Sequence, residues 1–299
     1  MTQTMNQRTS ERIIEVSLFL AALLAIVIVL LILLFLIKEG APVLVKFGLR
    51  DFLLGMNWNP IAIVGEPSYG IFPMVVGSIY IAVGSLILSV PLGVASAVFL
   101  IEIAPKWAQA VIRRGIELLV GIPSVVLGFA GLLLLVPLIR DTLGGCGFSI
   151  LAGSIILAIM ALPHIITISA DAIADVSSSI KEASLALGAT RWQTIRHVTI
   201  PSAKSGIAAA VVLGMGNSIG ETMAVLMVTG NSPVLPEPIY NILDPVRTMT
   251  ANIAIEMNYA APGNHQQALF ATGIILFLMV AVLNAVSNTI IRSERVTQR

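Results

Sequence analysis

Ser179-Ile180-Lys181-Glu182-Ala183-Ser184-Leu185-Ala186-Leu187-Gly188-Ala189-Thr190-Arg191-Trp192-Gln193 separates two long apolar stretches with cap formers, charges and small residues. Ser179 and Glu182 have the spacing of a capping box, and so do Thr190 and Gln193. In that motif a hydroxyl accepts a backbone N–H three residues on, and the Glu or Gln there reaches back to the cap. Gly188 lies between the two and can end a helix in the left-handed conformation. The stretch predicts two short helices meeting at a tight corner, with Pro201 soon after. Ile180, Ala183 and Leu187 give the first an apolar face, and Trp192 and Ile195 give the second one. Such a knob suits a groove in a partner protein; a helix resting on lipid headgroups carries the same pattern.

The chain around this stretch is greasy. Of 299 residues, 57% are hydrophobic and 11% charged, against about 25% charged in soluble domains. That excludes a soluble globular enzyme, and the hydrophobicity excludes a disordered chain. Six runs are long enough to cross a ~30 Å hydrocarbon layer: roughly 13–37, 73–101, 115–138, 149–170, 203–229 and 268–291. The first is too long for a signal-peptide core and is read as a retained helix. Six crossings place both termini on one face, which then holds 12 of the 17 lysines and arginines, from Arg8 through Lys181 and Arg196 to Arg299. Lys38, Lys46, Arg50, Arg140 and Arg247 fall opposite. Basic loops stay cytoplasmic, so both termini and the 171–202 connection are expected inside, and loops 38–72 and 230–267 outside. Between Pro245 and Pro262 a helical piece is expected from Val246 to Ala260. No linker divides the chain, which reads as one all-α transmembrane domain over 1–299, with its core at about 73–291. The net charge of +1 offers no field for nucleic acid, and membrane lipid is the expected surroundings.

Polar residues inside the spans are expensive and need a partner or a use. The fifth span holds Gly214-Met215-Gly216-Asn217-Ser218-Ile219-Gly220-Glu221-Thr222. It predicts Glu221 mid-helix, Asn217 one turn earlier on the same face, and glycines 216 and 220 spaced for close helix approach. Asn217, Glu221 and Thr222 then line a substrate pathway, or Glu221 is a buried group fastening one helix to another. Ser78, Ser85, Ser89 and Ser96 fall on one helical stripe and are expected to form an interhelical seam, with Pro91 and Gly93 bending the helix. His164, Thr167 and Asp171 share a face, and Asn284 and Asn288 are expected to bond between helices.

Machinery for chemistry is missing from the sequence. Gly216-Asn217-Ser218-Ile219-Gly220 fits G-x-S-x-G, but a nucleophile elbow needs a strand-to-helix turn and a histidine base. There is no H-E-x-x-H, the three histidines are scattered, and no lysine follows a glycine, so the nucleotide-binding G-x-x-x-x-G-K-[ST] is absent. No cofactor or metal is expected. If transport here uses ATP, another subunit hydrolyses it.

Glu182-Ala183-Ser184, Gly188 and Val198-Thr199-Ile200-Pro201 resemble the E-A-A…G…I-x-L-P signature of type I ABC-importer permeases, at the position that family requires. Trp58-Asn59-Pro60, Tyr69-Gly70-Ile71, Gly121-Ile122-Pro123-Ser124-Val125-Val126, Ile219 through Val225, Thr250-Ala251-Asn252-Ile253-Ala254 and His265 through Phe270 look like the PstC-type permeases of phosphate importers. The resemblance implies a MetI-like six-helix fold with both termini cytoplasmic. It implies that Glu182, Ala183, Ser184, Gly188, Ala189 and Thr190 couple to an ATPase, and that alternating access moves phosphate through the inner membrane. Implied partners are a PstA-like paralogous permease, a dimeric PstB-like ATPase and a PstS-like extracytoplasmic binding protein. One departure stands out: the family usually has arginine four residues before the Glu221 position, and here Asn217 offers a neutral amide instead of a charged fork. An anion contact then falls to the partner permease or to oriented helix ends. Rival readings are a permease for another oxyanion (molybdate or sulfate), a stand-alone secondary transporter and an intramembrane serine protease.

Overall fold

The computed structural model describes residues 2–62 and 65–296 of the chain. Arg299 lies outside these, as do the side chains of Arg8, Arg292, Arg295 and Asn288. Helix α1 (Thr2–Phe47) is followed by a short α2 (Leu49–Leu54) and a hairpin, β1 (Trp58–Asn59) pairing antiparallel with β2 (Ser68–Tyr69). Then α3 (Phe72–Val98) runs into a π-helical turn, Phe99–Ile103, and α4 (Lys106–Val120) follows. Helix α5 (Ser124–Ala130) continues through a second π turn, Gly131–Leu135, into α6 (Val136–Leu143). Helix α7 (Ile150–Ala174) leads to α8 (Ser178–Ala186) and α9 (Arg191–Thr194), and a third π turn, Ile195–Thr199, joins α9 to α10 (Ile200–Ser202). The chain ends with α11 (Lys204–Gly220), α12 (Met223–Val228), α13 (Met249–Glu256) and α14 (Asn264–Val296).

Five segments are long and apolar enough to cross a membrane: Ile14–Phe47, Phe72–Ile103, Ser124–Leu143, Ile150–Ala174 and Asn264–Ala285. A sixth is bent by 67° between Arg191–Ser202 and Lys204–Gly220. Several expected boundaries need correction, and the first span runs on past residue 37 to Phe47. The third span begins at Ser124, not near 115, because Gly121-Ile122-Pro123 separates it from α4, and Pro123 has no N–H to continue that helix. The fifth is not one helix over 203–229 but breaks between Gly220 and Met223. The piece expected over 246–260 is shorter, α13 being capped by the Thr248 hydroxyl, which accepts from the Ala251 N–H at 3.1 Å.

At the centre, α3 and α7 run parallel and pack closely with α11 against them. Small residues set the spacing: a Cβ on Gly84 would sit 2.3 Å from the Ser154 hydroxyl. Ser85 donates to the Ser218 hydroxyl at 3.2 Å, tying α3 to α11, and Ser78, Ser85 and Ser89 are all buried, so the serine seam is present. Ser96 is exposed and falls off it, and α3 passes Pro91 without ending. Helix α1 lies along α14; its residues from Ile14 to Leu31 are all exposed, as lipid-facing residues are, and contact with α14 begins further along, where Phe35 packs edge-on against Phe270, and deepens at the buried Gly40 and Val43. The end of the bundle where α3 and α7 finish carries α8 and α9, and is called here the terminal face. The hairpin, α13 and the start of α14 lie at the far face.

Candidate functional site

On the terminal face the two-helix knob forms as its sequence predicts, with one difference. Thr190 and Gln193 make a complete capping box: the Thr190 hydroxyl accepts from the Gln193 N–H at 3.3 Å, and the Gln193 side chain accepts from the Thr190 N–H at 2.8 Å. Helix α8 instead starts at Ser178 behind Ser177, without a side-chain cap, and Ser179 bonds the Ser177 hydroxyl. Gly188 turns the corner at φ +87°, a region that L side chains enter only at a cost. Glu182, Ala183, Gly188 and Thr190 are exposed, Ser184 and Ala189 half-buried. No residue of α8 is buried, and Leu187 and Trp192 are 90% and 60% exposed. The knob is held to the bundle by Lys181, whose Nζ lies 2.8 Å from Glu102 at the end of the second span. Within the knob, Ser184 bonds Thr194 at 3.0 Å.

In the fifth span, α11 stops at Gly220, and Glu221 adopts an extended backbone (φ −70°, ψ 131°). Glu221 therefore leaves the helix on which the sequence placed it. Irregular backbone at membrane depth must find partners, and it does: the Glu221 carboxylate accepts from the Ala224 N–H at 3.3 Å, its carbonyl accepts from the Thr250 hydroxyl at 3.2 Å, and Thr222 donates to the Gly220 carbonyl at 3.4 Å. Asn217 is exposed, Glu221 and Thr222 half-buried. A Cβ on Gly216 or Gly220 would meet nothing within 4 Å. Among the described residues no helix packs there, so the close approach these glycines permit is not made within this chain and that side of α11 is open.

Ser218 is buried, its hydroxyl between the Gly214 carbonyl and Ser85. The His164 and His197 rings bond the carbonyls of Met160 and Gln193 instead, so neither serves Ser218 as a base. Asp171 pairs with Arg113 at 3.8 Å, and Asn284 is exposed; the expected polar face on α7 is an ion pair with α4.

A third constellation at the far face escaped the sequence reading. Glu256, buried at the end of α13, accepts from Arg247 Nη1 at 2.7 Å on one oxygen. Its other oxygen takes Trp58 Nε1 at 2.8 Å and lies 2.9 Å from His265 Nε2. Arg247 also donates to the Asn231 carbonyl at 2.9 Å and the Asn252 side chain at 3.0 Å. Desolvation, then the Glu256 charge, raise the Tyr259 pKa above its ordinary value against a lowering by Arg247. The available signal was weak: an acid inside a loop helix, with an arginine nine residues before it and a histidine nine after.

The family model described as "Binding-protein-dependent transport system inner membrane component" matches residues 89–293. The chain belongs to this permease family. It is 46% identical over 231 residues to the probable ABC transporter permease YqgH of Bacillus subtilis, covering 77% of this chain and 73% of that one. It is 31% identical to the phosphate transport system permease PstC of Haemophilus influenzae, covering 98% of this chain and 96% of the relative. Among solved structures, a chain of a bacterial alginate ABC transporter aligns with TM-score 0.62 and 17% identity over 92% of this chain and 94% of its own. One from the MetNI methionine transporter aligns with TM-score 0.56 and 18% identity over 73% and 93%. These likenesses establish the MetI-like fold. The permease is thus a multi-pass membrane subunit of type I ABC-importer kind, close to the PstC proteins in sequence. It is a transport subunit: permeases of this kind lack an ATPase motif and leave hydrolysis to a separate subunit.

Proposed function

We propose that this permease forms half of the pathway of an ATP-driven importer of inorganic phosphate, with both termini cytoplasmic. The single observation that carries the substrate is the likeness to PstC, which runs nearly end to end in both chains. The basic residues crowded on the terminal face support the orientation. The open side of α11 supports a paralogous, PstA-like permease closing the pathway around Asn217, Glu221 and Thr222. The exposed knob, with Glu182, Ala183, Ser184, Gly188, Ala189 and Thr190, suits a groove in a dimeric PstB-like ATPase, and the far-face loops would receive a PstS-like binding protein. Alternating access then opens the region around Glu221 to each side in turn. The whole chain acts as one transmembrane domain in this scheme.

A second reading keeps the machinery and changes the cargo. Asn217 offers a neutral amide where PstC-type permeases usually carry arginine, so the cargo assignment gains no support from this helix, and another oxyanion is the alternative. Labelled-phosphate uptake by the reconstituted importer, with molybdate and sulfate as competitors, separates the two. Saturable uptake resisting a hundredfold excess of both supports phosphate; displacement by either one overturns it. Uptake by the permease alone, without an ATPase, would overturn both readings.

A further inference from the structure

We infer that Glu256 is a positioning residue that holds the broken fifth span in register from the far face, acting through α13 as a strut. The inference rests on the proposed role of Glu221 in the pathway. Its basis is where the two ends of α13 are fastened. At the C-terminal end the Glu256 carboxylate gathers Arg247, Trp58 and His265, from the segment before α13, the hairpin and the start of α14. At the N-terminal end the Met249 N–H donates to the Ser78 hydroxyl of α3 at 3.0 Å, and the Thr250 hydroxyl donates to the Glu221 carbonyl at 3.2 Å. The eight residues between are one hydrogen-bonded helix about 12 Å long, with Met249, Thr250, Ala251 and Asn252 buried. A stiff helix fixed at both ends passes a displacement of one end to the other.

The chemistry of the cluster suits alignment better than mere cohesion. Apolar packing could join the same three segments without desolvating a carboxylate, and replacing buried ion pairs by apolar groups is often neutral or stabilising. Hydrogen bonds to a carboxylate instead fix direction: each donor must approach within a narrow angle. The Arg247 guanidinium extends the same geometry to Asn231, just beyond α12. Both sides of the Glu221 break are therefore referred to one carboxylate: its carbonyl through α13, and α12 through Arg247.

The test uses the complete importer in lipid nanodiscs, where both faces meet solvent. A Thr222→Cys reporter on a Cys146→Ser background is labelled with a small water-soluble maleimide. Glu256→Gln replaces a pure acceptor with an amide that turns a donor toward Arg247 or toward Trp58 and His265, and should speed labelling at least fivefold. His265→Ala should do the same, while His265→Gln, which keeps a donor for Glu256, should stay within twofold of the parent. A buried cysteine at the other end of the bundle, Ala170→Cys, should remain unreactive throughout. Parental labelling rates in both Glu256→Gln and His265→Ala would overturn the inference, and so would a matching rise at Ala170→Cys, which is global loosening. If Glu256→Gln fails to assemble, the two His265 variants decide alone. Labelling does not depend on which solute crosses, so failure of phosphate uptake in the parent counts against the cargo and not against the strut.

Discussion

The two ends of this permease solve opposite problems with opposite materials. At the terminal face, the knob of α8 and α9 leaves Leu187 and Trp192 open and buries nothing along α8. At the far face, a carboxylate, a guanidinium, an indole and an imidazole are packed out of solvent, above an apolar cluster that includes Phe52, Tyr69, Met249 and Leu269. Apolar surface left uncovered beyond the membrane marks a contact made with another molecule. Charge taken out of water marks a contact made within the chain, since removing one partner of such a group costs far more than the pair itself contributes. The exposed knob thus fits the proposed docking of another molecule, while the cluster joins segments of the chain itself.

The largest effect should come from placing Asp at Gly188. That residue has φ +87° at the exposed corner; the substitution strains the turn and adds charge where a partner would seat. Uptake should fall more than tenfold while the protein remains in the membrane, and full transport would break the assignment of the knob. Next, Glu256→Ala leaves the largely buried Arg247, 15% exposed, without its counterion, at a cost of up to about 3 kcal/mol. A thermal unfolding series should show it as less stable than any single substitution in α8, and equal stability would erase the contrast between the ends. Glu221→Gln removes charge but keeps shape; uptake should drop severalfold with the complex still assembled. If both uptake and assembly match the parent, Glu221 neither lines the pathway nor fastens helices. Smaller still is the Lys181–Glu102 pair, about a fifth exposed on each side and so worth about 1 kcal/mol. Charge reversal at either residue should reduce the uptake obtained per ATP hydrolysed, and the double reversal should restore much of it. Ser85→Ala should cost least, about 0.6 kcal/mol, typical of a hydrogen bond between membrane helices.

Local chemistry was legible in the sequence, and long-range chemistry was not. The Thr190–Gln193 box and the Gly188 corner depend on residues within a few positions, and both formed. The spans were legible because apolar runs must match bilayer thickness, but hydropathy is blind to a break between two apolar halves. Gly121-Ile122-Pro123 and Gly220-Glu221-Thr222 therefore hid inside runs that read as continuous. The Ser179 box failed because α8 begins two residues earlier, at Ser178, and uses Ser177 as its boundary. Around Glu256, Trp58 is 198 residues away in sequence, and no periodicity records a contact of that kind. Of the pathway candidates, Asn217 stays on α11, while Glu221 and Thr222 both leave the helix and form the break between α11 and α12.

The three π turns give the bundle mechanical slack. Each holds a residue more than an α-helical turn would, at Phe99–Ile103, Gly131–Leu135 and Ile195–Thr199. Such a surplus can travel like a wrinkle in a carpet, exchanging one carbonyl for the next, and every side chain it passes swings by about 100° around the axis. Two of the wrinkles adjoin the mounting of the knob, one ending beside Glu102 and the other following directly on α9. A pull on the knob can therefore be taken up as rotation of a rod's end, with no rod having to melt.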